Sequence, residues 1–348
     1  MPMIKEANVG IGLYGNEGMS ASQNADFAVG EFRFIWRLLF AHGRTFYIND
    51  TLNAFYYFYK NILLTVPQFM FAFVCGFSGQ SIFDDVYISF YNAFITTWPV
   101  AGKVLFDMDI NPKTDDAQLV NQLPLLYFES QQGLNFFQAN FFKCILHAIS
   151  HACFIFFLPY FIMDSKAITR ENGQTADQWT MSLTMFYSLF LVVTMNLLIN
   201  LKQHTVYNLF ALVVMSIAPL SLTVSLSNYK AESWMHNVIH TTHASPSFHA
   251  AWFITVVCCS LIDFLILVKS FLYKPAMPEF LRRLRKEGRS LDEPQVKEQW
   301  EELIEDRKRY MHELELIHET IVNKKREQKE LAFLKQQREP PEAEPEPQ

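Results

Sequence analysis

The chain has 348 residues, of which 50% are hydrophobic and 33 are phenylalanine, and its formal net charge is −6. This composition argues against an ordinary soluble domain, and we expect no nucleic-acid partner. The charges are unevenly divided, because residues 274–348 hold 16 of the 29 basic and 18 of the 35 acidic side chains. We therefore predict an all-α polytopic membrane body followed by a charged cytosolic tail.

The N-terminal residues 1–31 have the pattern of soluble α/β structure. Two apolar runs, 8–13 and 26–29, flank a segment at 17–25 that is compatible with a helix. We predict two short strands with a helix between them. Because about thirty residues cannot bury a core of their own, this piece should belong to a larger α/β domain or remain poorly ordered.

Six apolar stretches follow a predicted stalk helix at 32–51. Each is about twenty residues long, which is enough to cross a hydrocarbon core of ~30 Å as a helix. Together they define a transmembrane domain at 52–273, with spans at approximately 52–77, 84–106, 141–163, 179–201, 205–227 and 250–273.

The residues after the last predicted span orient the protein. Six basic side chains lie between positions 274 and 289, which places this end in the cytosol by the positive-inside rule and, after six crossings, the N-terminus as well. The tail 274–339 should be basic and partly helical, and an apolar stripe that begins at Trp300 favours either a coiled coil or a single exposed helix. The acidic, proline-rich end 340–348 should be disordered.

The five cysteines all lie within apolar runs and show no C-x-x-C spacing. We expect reduced, buried thiols, with neither disulfides nor a zinc site. They are Cys75, Cys144, Cys153, Cys258 and Cys259.

The first predicted span contains Lys60, followed by Asn61. An ammonium group in lipid costs several kcal/mol, so such a lysine is expected to face a polar cavity or a partner and to be functional. The alternative is a lysine that pairs with a neighbouring carbonyl for purely structural reasons.

An ordered series of motifs over residues 1–273 resembles the phospholipid flippases, a branch of the P-type ATPases. The opening residues 3–18 are similar to the end of that family's α/β phosphorylation domain. The flippase-like motifs include His42-Gly43-Arg44, Phe58-Tyr59-Lys60-Asn61, Phe106-Asp107-Met108-Asp109, Pro124-Leu125-Leu126-Tyr127 and Phe141-Phe142-Lys143-Cys144.

The resemblance implies an ATP-driven translocase that moves an aminophospholipid, such as phosphatidylserine or phosphatidylethanolamine, from the exoplasmic to the cytosolic leaflet. It implies ATP and Mg²⁺ as cofactors of the intact protein, and a plasma membrane or Golgi/endosomal location. A glycosylated accessory subunit should contact the loops 164–178 and 228–249. The sequence contains no segment that resembles the family's phosphorylated aspartate motif, its nucleotide-binding domain or its actuator domain. We therefore expect this chain alone to be a fragment that does not hydrolyse ATP.

The resemblance places Lys60 and Asn61 where flippases carry a lysine needed for lipid movement. Asn92, Thr96 and Thr97 should share one face of the second span, where they would hydrogen-bond either a lipid headgroup or a neighbouring helix. These five residues form the predicted transport path, and no catalytic or metal-binding residue is predicted in this chain.

Several other polar residues have structural interpretations. Asp84 and Asp85, at the start of the second span, could attract a lipid amine, but solvation or N-capping of a helix end is the favoured interpretation. Asp263 is interpreted as an ion-pair partner of Lys269. The histidines of the third span, His147 and His151, and those of the last exoplasmic loop raise the question of a metal, but packing and solvation are the favoured explanations.

A second functional class stays open. A flippase-derived membrane protein without catalysis would act as a scaffold or regulator through its tail helix. In-frame GDGAND and DKTGT motifs upstream in the gene would favour the enzyme, whereas stop codons there would favour the regulator.

Overall fold

The structure is a computed structural model that describes residues 2–15, 19–107, 138–163, 177–202, 238–273, 277–287 and 293–306, together with positions 127, 175, 205–207, 210, 308–309 and 312. The chain divides into two compact units, Met1–Pro278 and Glu279–Gln348. The described part is mostly helical, in agreement with the predicted fold class.

The described elements of the first unit are, in chain order, α1 (Pro2–Glu6), β1 (Ile11–Leu13), α2 (Ser20–Gln23), β2 (Phe27–Val29), α3 (Arg33–Arg37), a first π-helical segment (Leu38–Gly43), α4 (Arg44–Val74), α5 (Asp85–Phe90), a second π-helical segment (Tyr91–Ile95), α6 (Thr97–Phe106), α7 (Gln138–Ile162), α8 (Gln178–Ile199), α9 (Val238–His243) and α10 (Pro246–Tyr273). Helix α11 (Met277–Glu287) leads into the second unit, where residues 294–306 are also helical.

The N-terminal segment folds around a two-stranded parallel sheet. β1 and β2 pair with Gly12 opposite Ala28, and both strands lie within the predicted runs. The Asp26 carboxylate accepts a hydrogen bond of 2.8 Å from the Gly10 backbone N–H. A Cβ atom at Gly12 would lie 2.8 Å from the carbonyl oxygen of Ala21, so α2 can cross β1 this closely only over a glycine.

The helical backbone is continuous from Arg33 to Val74. The π-helical segment Leu38–Gly43 joins α3 to α4, so the helix is wider over this segment but does not end at Gly43. At 1.5 Å per residue this rod is roughly 60 Å long. The predicted stalk at 32–51 and the start of the first predicted span therefore share one helix.

Four helices, α4, α7, α8 and α10, pack into a bundle. α8 lies at its centre, because 67% of the residues in its apolar 18-residue stretch are buried, against 33% in α7 and 22% in α10. The outer faces of α7 and α10 expose large apolar side chains such as Leu146, Phe161, Phe253 and Leu265. This pattern suits helices whose outer faces contact lipid. All five cysteines are free, but only Cys259 is buried, whereas the other four are partly buried.

Three helices of the described chain are long and apolar enough to cross a membrane: Asn140–Ile162, Gln178–Ile199 and Pro246–Lys269. They coincide with the third, fourth and sixth predicted spans. The first two predicted spans are also helical, but Lys60, Asn61 and Gln68 interrupt the first, and the second consists of α5, a π-helical segment and α6. The fifth lies almost wholly outside the described residues, so a total of six stays a prediction.

Polar side chains fix two of the helix ends. Asp84 caps α5, because its carboxylate accepts a hydrogen bond of 2.9 Å from the Val86 N–H, which confirms the predicted cap. The buried Asn49 amide donates to the carbonyl oxygens of Val104 and Asp107, at 3.2 and 2.8 Å, and so ties α4 to the end of α6.

The second unit begins with two helical segments that share an apolar contact. The rings of Phe280 and Trp300 stack with centroids 5.7 Å apart, and Leu284 and Val296 are also buried. Trp300 thus contacts α11 within its own chain. The predicted disordered end 340–348 and most of the predicted tail helix lie outside the described residues.

Replacing Gly12 with alanine should loosen the N-terminal segment, because the new methyl group would overlap backbone atoms of α2. Overpacking of this kind costs about 1–3 kcal/mol, so amide hydrogen exchange in β1 should become roughly 5- to 150-fold faster. Gly30→Ala is the matched control, since a Cβ at Gly30 would meet no atom within 4 Å. Equal exchange rates in the two variants would contradict the proposed close approach.

Candidate functional site: a buried lysine beside a π-helical segment

Lys60 lies in the middle of α4 and is 2% exposed. Its Nζ atom donates a hydrogen bond of 2.6 Å to the Thr96 hydroxyl oxygen. The same atom lies 4.7 Å from the ring centroid of Tyr57 and 5.9 Å from that of Tyr91. Aromatic faces attract a cation through their quadrupole, and the attraction is stronger where water is excluded.

The second π-helical segment determines which side chains reach Lys60. The Thr96 N–H and hydroxyl both donate to the Tyr91 carbonyl oxygen, five residues earlier, at 3.1 and 2.9 Å. Pro99 has no N–H and so cannot donate to the carbonyl of Ile95, which permits the irregular turn. The extra residue in the turn rotates Thr96 towards α4. π-helical turns of this kind are frequent at functional sites.

Tyr91 holds the backbone at this point. Its fully buried hydroxyl donates a hydrogen bond of 3.1 Å to the carbonyl oxygen of Lys60. Its ring also packs near Phe186 of α8, with centroids 6.4 Å apart. Tyr91 therefore fixes α4 against the π-helical segment and presents an aromatic face to the ammonium group.

The electrostatic character of the site follows from these partners. In the part of the chain that the structure describes, no carboxylate lies within ion-pair distance of Lys60. Its contacts are a hydroxyl group and two aromatic rings, all neutral. A buried cation without a counter-ion is costly, and an anionic group that enters the site would offset this cost. Phosphate and carboxylate oxygens are suitable acceptors for an ammonium group.

The structure separates the five predicted path residues into two sets. Lys60 and Thr96 are buried and bonded to each other. Asn61, Asn92 and Thr97 are exposed, and the Thr97 hydroxyl donates to the Asn92 carbonyl oxygen at 2.8 Å. The prediction that Asn92, Thr96 and Thr97 share one face assumed a regular α-helix, whereas the structure buries Thr96 and exposes the other two. Tyr57 and Tyr91 were missed because neither ring stands out in a span rich in aromatic residues.

A second polar cluster lies beside Lys60, around the neighbouring Tyr59. The Tyr59 hydroxyl is 2.7 Å from Nδ1 of His151. Asp263 faces His147, His151 and Asn196, so the predicted pair with Lys269 is wrong. Six residues along a helix leave two side chains roughly 120° apart around its axis, and Lys269 is exposed.

The fold and the two polar clusters define a helical membrane protein. The chain belongs to the family described as "Phospholipid-translocating P-type ATPase C-terminal", which matches residues 22–276. This confirms the resemblance to the phospholipid flippases.

Individual relatives agree with this assignment. The human "Probable phospholipid-transporting ATPase IM" is 36% identical over 207 residues, which are 59% of this chain and 17% of that protein. "Phospholipid-transporting ATPase DRS2" of Saccharomyces cerevisiae is 29% identical over 302 residues, 85% of this chain and 22% of that protein. "Probable phospholipid-transporting ATPase 5" of Arabidopsis thaliana is 34% identical over 203 residues, 58% and 16% respectively. The chain spans about a fifth of the length of these relatives.

If the buried charge of Lys60 is held at a cost in stability, Lys60→Met should stabilise the protein. Methionine keeps the length of the side chain and removes the uncompensated charge, so Tm in neutral detergent should rise by roughly 2–4 °C. Lys269→Met, on the exposed face of α10, is the matched control and should leave Tm unchanged. A fall in Tm for Lys60→Met alone would show that the lysine is structural.

Proposed function

We propose that the Lys60 site is part of the path along which a phospholipid headgroup crosses the membrane, and that the chain is the C-terminal membrane portion of an ATP-driven flippase. The observation that carries this proposal is the buried ammonium of Lys60, bonded to Thr96 at 2.6 Å and without a carboxylate partner among the described residues. Family membership supplies the class of substrate.

The chemistry of the site suits a headgroup. A lipid phosphate, or the carboxylate of a serine headgroup, would accept a charge-assisted hydrogen bond from Lys60. The tyrosine rings at 4.7 and 5.9 Å would keep the ammonium in place while the anion arrives and leaves. Asn61, Asn92 and Thr97, which are exposed, would contact the headgroup at the edges of the path. The acyl chains would stay in the bilayer.

The continuous helix offers a route for coupling. Arg33 and Lys60 lie on one helical rod, 27 residues apart, which corresponds to roughly 40 Å. A displacement of the stalk at 32–51 would therefore move the cation site directly. In the intact family member ATP, Mg²⁺ and a phosphorylated aspartate would drive that displacement.

The proposed substrate, transport direction, topology, location and accessory subunit rest on the family resemblance and on the basic residues after position 273. The protein would move an aminophospholipid, phosphatidylserine or phosphatidylethanolamine, from the exoplasmic to the cytosolic leaflet. It would cross the membrane six times in this portion, with both ends in the cytosol. It would reside in the plasma membrane or in Golgi/endosomal membranes, and a glycosylated accessory subunit would contact the loops 164–178 and 228–249.

Uptake of fluorescent phosphatidylserine and phosphatidylethanolamine tests this proposal in cells that express the complete native gene. Lys60→Met and Thr96→Val should each reduce uptake, because each removes part of the charge-assisted contact. A loss of about 1.5–3 kcal/mol corresponds to a reduction of roughly 10- to 100-fold. Thr255→Val is the matched control, since Thr255 is equally buried and its hydroxyl bonds the Ala251 carbonyl within α10.

Wild-type uptake in both variants would contradict the proposed path. Absence of lipid uptake by the native protein itself would instead favour the scaffold or regulator that acts through its tail.

A further inference from the structure

Two histidines and an aspartate converge inside the bundle. His147 and His151 are four residues apart on α7, so both rings project from one face of that helix. Their Nε2 atoms lie 2.8 and 3.7 Å from Oδ1 of Asp263, on α10. The three potential ligand atoms all lie within 4.8 Å of one another.

His151 and Asp263 each have a further hydrogen-bonding partner outside the cluster. Nδ1 of His151 lies 2.7 Å from the Tyr59 hydroxyl of α4. The other carboxylate oxygen of Asp263, Oδ2, accepts a hydrogen bond of 3.0 Å from the Asn196 amide of α8. Outer partners of this kind orient the ligands of metal sites, because they fix the ring tautomer and aim the free lone pair inwards.

Among the described residues, the inward-facing nitrogens have no hydrogen bond of their own. Nε2 of His147 and Nε2 of His151 are both buried, at 2.8 and 3.7 Å from Oδ1 of Asp263, and neither contact has hydrogen-bonding geometry. The His151 side chain is completely buried. A buried nitrogen left without a partner is unfavourable, so an unpaired group in this position calls for a ligand.

The charge balance points to a cation. Asp263 is buried, and within the described part of the chain its contacts are two histidines and an amide, with no lysine or arginine. A dication would more than offset the charge of the carboxylate and could bind both nitrogens at once, and an anion such as hydroxide in the remaining coordination position would balance the excess charge. The set of two imidazoles and one carboxylate suits Zn²⁺ and related ions, and it leaves one coordination position open.

We propose that His147, His151 and Asp263 bind one divalent transition-metal ion, with Zn²⁺ as the best-matched ion, between α7 and α10. Ligand atoms around a tetrahedral zinc lie roughly 3.3 Å apart. The separations from Asp263 are 2.8 and 3.7 Å and all three ligand atoms lie within 4.8 Å, so the two histidine rings would close around the ion when it binds. The His147 side chain is 22% exposed, whereas the His151 side chain is completely buried. The bound ion would tie α7 to α10 and, through Tyr59, to the helix that carries Lys60.

Co²⁺ is the spectroscopic probe for this site. The purified full chain, stripped with a chelator, should bind one Co²⁺ per molecule with visible d–d bands, and Zn²⁺ should displace it. His151→Gln and His147→Gln should each weaken binding by at least about 100-fold, and Tyr59→Phe, which removes only an outer partner, by about 10- to 100-fold. Zn²⁺ should raise Tm of the wild type but not of the ligand variants.

His249→Gln is the matched control, because His249 lies on α10 with Asp263 but is exposed. It should bind Co²⁺ like the wild type. His147 is the more exposed ligand, so its substitution should leave the bundle folded, which circular dichroism would verify. Absence of d–d bands in the folded wild type would overturn the proposal and favour an imidazolium–carboxylate pair. Unchanged binding in His147→Gln, or loss of binding in His249→Gln, would also overturn it.

Discussion

The hydrogen bond between Lys60 and Thr96 places a positive charge where the surrounding groups in the described part of the chain are neutral. The ammonium group is buried, a hydroxyl group accepts its hydrogen bond at 2.6 Å, and aromatic rings lie near it. The proposed headgroup path depends on these three features. A carboxylate in the same place would form a stable ion pair with Lys60 and would compete with any other anion. In the proposed function, neutral partners would keep the lysine charge available to an anion that arrives from the membrane.

Helix α4 links the two polar clusters of the bundle. Lys60 faces the π-helical segment, while the preceding residue, Tyr59, bonds to His151. The helix is continuous with α3, which follows the N-terminal segment in the chain. A shift of this one rod would alter the cation site and the histidine cluster together. A metal ion bound at Asp263 would resist that shift, because it would hold the helices on which Tyr59 rests.

Sequence reasoning identified the features that local patterns encode. Hydropathy located α7, α8 and α10, the cost of an intramembrane charge singled out Lys60, and Asp84 was recognised as a cap. The neighbours of Lys60 were less accessible. A π-helical turn has no periodicity of its own, and the one at Tyr91–Ile95 depends on the bond from Tyr91 to α4. The partners of Asp263 are 67 to 116 positions away, and only packing brings them together.

Photocrosslinking with a phosphatidylserine analogue that carries a diazirine on its headgroup would show whether a lipid headgroup reaches Lys60. The experiment uses membranes that contain the protein expressed from its complete native gene, and mass spectrometry locates the adducts. We expect adducts on the peptides around Tyr57 and Tyr91, and we expect excess unlabelled lipid to suppress them and Lys60→Met to abolish them. Equal labelling of these peptides in Lys60→Met, or labelling confined to other helices, would contradict the proposed headgroup path.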